Sequence, residues 1–300
     1  LSPHLDPIDP EGSYRSVAAR LRPILDLAMR LPASLIFDME QAETKALLVE
    51  IFTRLFAEPS YKSYPYAGLA LQAYHRETVR DIEGLLAWVR RRGAPITIRL
   101  VKGAYWDSDR IRYRQRGWAA PLFEQKVLTD ANYEALTCLL LSQTSLIRPA
   151  FGTHNLRTLA YIEAVAESLG LSPETWEYQM IFGMAEPFQQ AVTQHGRRLR
   201  LYTPVGELLP GMAYFVRRLL ENTSNESFLR KEYVESQPLR TLLAPPVLEE
   251  LSQKQLSLSQ PAAVQEFQNE PQRDFAQADN RAAMQQALAT VRSQLGRQWT

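Results

Sequence analysis

The chain has 300 residues, 45% hydrophobic and 22% charged, which suits a soluble globular protein with a sizeable core in one large or two modest domains. Basic residues (34) balance acidic ones (33), so a net charge of +1 shows neither a nucleic-acid footprint nor an acidic tail. The single cysteine, Cys138, excludes an intrachain disulfide and fits a reducing compartment.

Taken in chain order, "SYRSVAARLRPILDLAMRL" carries Val17, Leu21, Leu25 and Ala28 at helical spacing, with Pro23 expected to kink or restart the helix. Short apolar runs then alternate with amphipathic stretches. "SLIFD" leads to "QAETKALLVEIFTRLF", "AGLALQAY" to "ETVRDIEGLLAWVRRR", and "ITIRLVKG" to "FEQKVLTDANYEALTCLLL". "RPAFGTHN" leads to "LRTLAYIEAVAESLG", "WEYQMIFGM" to "EPFQQAVTQHG", and "LRLYTPVG" to "LPGMAYFVRRLLEN". Cys138, inside "LTCLLL", reads as core filler rather than a nucleophile.

These six strand–helix units have apolar rather than alternating strands, as buried parallel strands do. Such a rhythm builds either a doubly wound sheet or an eight-stranded barrel. No Gly-x-Gly-x-x-Gly follows the first strand, which weighs against a dinucleotide-binding fold. The expectation is an α/β (βα)8 barrel with six of its eight strands in this chain. The absence of an initial Met further suggests a fragment. Past residue 230 a Pro-, Gln- and Ser-rich stretch reads as a linker, and "DNRAAMQQALATVRSQLGRQW" as a terminal helix. No run of apolar residues is long enough to span a membrane, and no signal peptide is visible.

Catalytic groups of parallel α/β folds lie at the carboxyl ends of strands. Those ends carry Asp38, Gln72, Arg99 with Lys102 and Tyr105, Thr153-His154-Asn155, Glu186 and Tyr202. Asp38 and Asn155 directly precede helices, so N-capping competes with a chemical role. Arg99 shares the parity of Thr97 and Val101, whereas Lys102 shares that of Ile98 and Leu100. Both cations can face one ligand only if the chain turns at Gly103. A mid-strand Arg99 needs a partner, and Asp38 or an anionic ligand would serve.

In "YFVRRLLEN", Arg217 and Glu221 are spaced for a surface ion pair, while Tyr214 shares a face with Arg218. Two adjacent guanidiniums beside a tyrosine suit a small carboxylate with an apolar body. Four scattered histidines give no metal-ligand spacing, and neither a Gly-x-Ser-x-Gly nor a Cys–His pair is present. Chemistry here therefore calls for a borrowed cofactor. Two rival readings are a Schiff-base lyase of the aldolase type using Lys102, and an inactive scaffold fragment whose arginines form surface ion pairs.

"RLVKGAYWD", "FGTHN", "LYTPVGE" and "YFVRRLLEN", in this order, closely resemble the proline dehydrogenase domain of the bifunctional proline utilization A flavoenzymes, from residue 1 to about 235. The resemblance implies a distorted (βα)8 barrel that binds FAD non-covalently. It implies oxidation of L-proline to Δ1-pyrroline-5-carboxylate by hydride transfer to flavin N5, with electrons passed to membrane quinone. Arg217 and Arg218 would bind the proline carboxylate, with Tyr105, Tyr202 and Tyr214 as pocket walls and Leu100 beneath the ring. Asp38 would lie in the same pocket, and Arg99 by the flavin ring. Gln72, Arg99, Val101, Lys102, Gly103, Trp106, Thr153, His154, Asn155 and Glu221 would contact FAD. No metal and no nucleic-acid partner is implied. The location would be cytoplasmic, or peripheral on the inner membrane.

The sequence also departs from the family pattern. A pocket lysine of a Lys-x-Ser element would fall just before Leu1, and the first two barrel strands before that. "IFGMAE" has Ala185 where Gly is usual. Residues 1–235 would form the barrel, 236–268 a linker, and 269–300 the start of an aldehyde dehydrogenase half without its catalytic cysteine. A chain so divided is expected to be a poor proline dehydrogenase alone, because an open barrel exposes strand edges.

Overall fold

The computed structural model describes residues 5–207 and 272–296, together with 209, 211, 212, 214, 216, 240, 243–246 and 269. The chain opens with α1 (Pro10–Arg30). Asp9 caps it, accepting from the Gly12 amide at 2.8 Å, and Pro10 fills the first turn, where a missing N–H costs nothing. The sequence favours a kink at Pro23, yet the helix runs through. Pro23 lies on the exposed face, while Val17, Leu21, Leu25 and Ala28 bury one stripe that pins both halves.

Six strands follow: β1 (Leu35–Phe37), β2 (Ala67–Gln72), β3 (Ile96–Val101), β4 (Ile147–Gly152), β5 (Glu177–Ile181) and β6 (Leu199–Tyr202). All neighbours pair in parallel, in chain order, as one six-stranded sheet curled into a half-barrel. This is the expected architecture. Helices connect the strands: α2 (Lys45–Leu55), α3 (Thr78–Arg92), α4 (Trp106–Gln115) with α5 (Lys126–Leu141), α6 (Leu156–Ser168) and α7 (Glu186–Gln194). A final helix, α8 (Ala278–Gln294), buries none of its residues.

The register sorts each strand into two faces. Phe37, Leu69, Leu71, Ile96, Ile98, Leu100, Ile147, Phe151, Tyr178 and Met180 turn to the helices and form the core with residues such as Ile51, Leu86, Leu136 and Ile162. The opposite face is small or polar: Gly68, Ala70 and Gln72 on β2; Thr97, Arg99 and Val101 on β3; Ala150 and Gly152 on β4; Glu177 and Gln179 on β5; Arg200 and Tyr202 on β6. The inner face of β5 thus departs from the apolar reading given to all six strands. "EYQMI" alternates because its two faces meet different neighbours.

Candidate active site

Arg99 projects from the middle of β3 toward the inner face, flanked in register by Ala70 and Ala150. Its Nη1 donates to Asp38 Oδ1 at 3.0 Å, and its Nε to Gln179 Oε1 at 2.8 Å. The Tyr202 ring centroid lies 4.6 Å from Arg99 Cζ, a cation–π distance. Three strands from opposite ends of the sheet therefore converge on one guanidinium. Burial pushes the Tyr202 phenol above its ordinary pKa, against the pull of Arg99. Asp38 does not cap a helix; a short loop separates it from the next helical turn, and its carboxylate goes to Arg99.

Gly152 is part of this arrangement. A Cβ there would lie 2.9 Å from Val101 Cγ1 and 3.4 Å from Arg99 Nη2, so the bare backbone leaves Arg99 its place.

Lys102 goes elsewhere. It turns to the helix side, pairs with Asp130 of α5, and lies 5.9 Å from the Tyr133 ring centroid. Burial pushes its ammonium below the ordinary pKa while Asp130 opposes the shift. Gly103 does turn the chain, with φ at 129°, but the turn does not bring Lys102 to Arg99. This places Lys102 poorly for a Schiff base at the mouth. Leu100, which the resemblance put beneath the substrate ring, is also on the helix side, with no exposed surface.

The β3–α4 loop carries Tyr105, and Trp106 opens α4. Trp106 Nε1 donates to the Phe123 carbonyl at 2.7 Å. Tyr74 braces the loop from below, donating its hydroxyl to Asp109 Oδ2 of α4 at 3.0 Å. After β4, the Thr153 hydroxyl accepts from the Asn155 amide at 3.1 Å, and Asn155 caps α6 by accepting from the Thr158 amide at 3.0 Å. The capping alternative for Asn155 is therefore realised. His154 Nε2 accepts from the Ile181 amide at 3.0 Å, which ties the end of β4 to the end of β5.

Gln72 is buried. Its amide donates to the Met39 carbonyl at 3.2 Å and meets His75 Nε2 at 3.1 Å. Glu186 opens α7, and the residue before it, Ala185, stands in the left-handed region at φ 54°. Tyr214 is half-buried. Arg217, Arg218 and Glu221 lie outside the described residues.

The sequence profile of the proline dehydrogenase family matches residues 3–231. The chain belongs to the proline dehydrogenase family. It is 36% identical over 245 residues to the bifunctional protein PutA of Salmonella typhimurium, covering 79% of this chain and 18% of that protein. It is 29% identical over 208 residues to proline dehydrogenase 2 of Bacillus subtilis, covering 69% of this chain and 60% of the relative. Among solved structures, proline utilization A from Bdellovibrio bacteriovorus, inactivated by N-propargylglycine, superposes with a TM-score of 0.87 at 42% identity. That match covers 96% of this chain and 30% of the solved one. The chain thus spans about a fifth of the length of its bifunctional Salmonella relative, 18% as matched.

For a chain of this family, the inner face has the right character for a flat, anionic cofactor such as FAD. Gly68, Ala70, Ala150 and Gly152 keep bulk off the two strands beside β3, while Arg99 supplies a cation and Tyr202 an aromatic wall. The residues present fit that group. Sequence reasoning missed Glu177, Gln179 and Arg200. Their signal was the polar alternation of "EYQMI" and "LRLY", which buried parallel strands do not need.

Proposed function

We propose that this chain is the proline-oxidising part of a bifunctional flavoenzyme, converting L-proline to Δ1-pyrroline-5-carboxylate. The carrying observation is Arg99, fixed between Asp38 and Gln179 beside Tyr202, in a chain of the proline dehydrogenase family. The relative inactivated by N-propargylglycine, a secondary amino acid like proline, supports the substrate class.

FAD, when bound, would supply a hydride acceptor at N5 and a route for the electrons to quinone. The segments Val101–Trp106 and Thr153–Asn155, with Gln72 and Glu221, would hold it. Arg217 and Arg218 would grip the proline carboxylate by directed hydrogen bonds. Tyr105, Tyr202 and Tyr214 would wall the ring and exclude water. The carbon beside the ring nitrogen would then face the acceptor, so that orientation and electrostatics carry the rate rather than a protein nucleophile. Arg99 would offset the negative charge that the flavin gains on reduction, with Asp38 holding it in place.

We read residues 1–235 as the barrel part, 236–268 as linker and 269–300 as the start of an aldehyde dehydrogenase half. The protein would work in the cytoplasm and meet the inner membrane peripherally to reach its quinone. Among the described residues, no helix is long and apolar enough to cross a membrane. The test is the visible spectrum of the full-length protein. A flavin spectrum that bleaches on adding L-proline without oxygen is expected. A flavin that keeps its colour in excess proline overturns the substrate assignment.

A further inference from the structure

The hydrogen bonding around Arg99 does not stop at its first partners. Gln179 Nε2 donates to Glu177 Oε1 at 2.6 Å. Arg200 donates to the same carboxylate twice, from Nε at 2.7 Å and from Nη2 at 2.9 Å. Glu177 and Gln179 sit two apart on β5, so they share the inner face, and Arg200 is the register partner of Gln179 on β6.

Each link constrains the next. An ionised carboxylate only accepts, so Gln179 must turn its amide nitrogen to Glu177. That leaves its carbonyl for Arg99 Nε. If Glu177 were neutral, or absent, either end of the amide could face Arg99, and one of them would present N–H to N–H. Burial alone would raise the Glu177 pKa, but hydrogen bonds from Arg200 and Gln179 outweigh it and hold the carboxyl ionised below its ordinary range.

The two anchors of Arg99 also differ in strength. The Asp38 side chain is 54% exposed, so its ion pair is weakened by water and salt. Gln179 is 2% exposed and Glu177 8%, so the inner anchor is held by packing. Donation from Nε, the only guanidinium nitrogen on the side-chain stem, sets the tilt of the guanidinium plane.

We propose that Glu177 and Gln179 are positioning residues for the flavin-facing cation: Glu177, clamped by Arg200, orients the Gln179 amide, whose carbonyl aims Arg99. The inference rests on the reading of Arg99 as the residue beside the flavin.

The experiment uses the full-length flavin-loaded protein with Arg99→Met, Glu177→Gln, Gln179→Met and the Glu177→Gln/Gln179→Met double variant. The readouts are the flavin midpoint potential and the affinity for sulfite, an anionic probe that adds to electron-poor flavins independently of proline. Arg99→Met should weaken sulfite binding most. Glu177→Gln and Gln179→Met should each weaken it roughly tenfold, the scale of one hydrogen bond to a charged group, and shift the potential the same way. If Glu177 acts through Gln179, its effect should vanish in the Gln179→Met background.

Wild-type sulfite affinity and potential in Glu177→Gln overturn the inference, as does an undiminished Glu177 effect in the Gln179→Met background. If Arg99→Met itself leaves both readouts unchanged, the placement of Arg99 by the flavin falls, and this inference with it. If instead Arg99→Met responds and Glu177→Gln does not, only the relay fails. Should Gln179→Met not fold, Glu177→Gln and Arg200→Met decide together, since Arg200 sits at a half-exposed edge; silence in both overturns the proposal.

Discussion

Tyr74 occupies the space that any side chain at Gly103 would need: a Cβ on Gly103 would lie 1.4 Å from Tyr74 Cδ1 and 1.6 Å from Cε1. The ring cannot move aside easily. It is 2% exposed, stacks on His75 with centroids 4.6 Å apart, and is anchored by its hydroxyl to Asp109. The turn that ends β3 is thus moulded on an aromatic residue from the end of β2. Gly103→Ala should cost at least about 3 kcal/mol, from overpacking combined with a φ of 129° that disfavours alanine. Urea unfolding checks this; a change under about 1 kcal/mol would show that Tyr74 yields.

Asp38 is exposed and holds Arg99 by one ion pair, so its removal should separate stability from chemistry. Asp38→Ala should change stability by less than about 1 kcal/mol, because exposed pairs contribute little. Proline oxidation by the full-length variant should fall by roughly tenfold or more, as when one preorganised electrostatic partner is lost. Steady-state kinetics beside thermal melts measure both.

Leu100 should behave in the opposite way. Being fully buried among the helices, it should lose about 2–5 kcal/mol as Leu100→Ala, while folded protein keeps its KM for proline. A raised KM at unchanged stability would return Leu100 to the substrate pocket.

Glu177 gives stability a pH dependence of known sign. Its carboxyl titrates below its ordinary value of 4.5 in the folded state, so the stabilisation is present above 4.5 and is lost as pH falls through the depressed value. The gap in unfolding free energy between wild type and Glu177→Gln should be widest near neutrality and narrow in acid. A gap that widens in acid contradicts the shift.

Ala185 adopts φ 54° at the start of α7, in the left-handed region. Left-handed backbone disfavours a Cβ, so Ala185→Gly should stabilise the protein by roughly 0.5–1 kcal/mol despite the extra freedom of the unfolded chain. Differential scanning calorimetry reads this as a higher melting temperature.

Much of the site could be read in the sequence because strand ends announce themselves. Asp38, Arg99 and Tyr202 come from units far apart in the chain, yet an apolar run ending in a polar residue marks Asp38 and Tyr202, a cation inside an apolar strand marks Arg99, and the fold brings them together. Parity along the strand also separates Arg99 from Lys102. What parity could not say was where Lys102 would go, since Asp130 lies on a helix that the strand meets only by packing. Pro23 misled for a related reason. A helix breaker predicts a break locally, but a buried stripe on the other face keeps the helix whole.

By itself, then, the sequence determined the six parallel strands, the helices that join them and the family, because these follow from local apolar runs and contiguous motifs. The tertiary structure alone decided which face of each strand looks inward. Alternation gives two faces, but only the packing of the connecting helices tells them apart. That choice put Leu100 into the core. It also joined Glu177, Gln179 and Arg200 to Arg99 across three strands, through hydrogen bonds between residues up to 80 positions apart, Arg99 and Gln179.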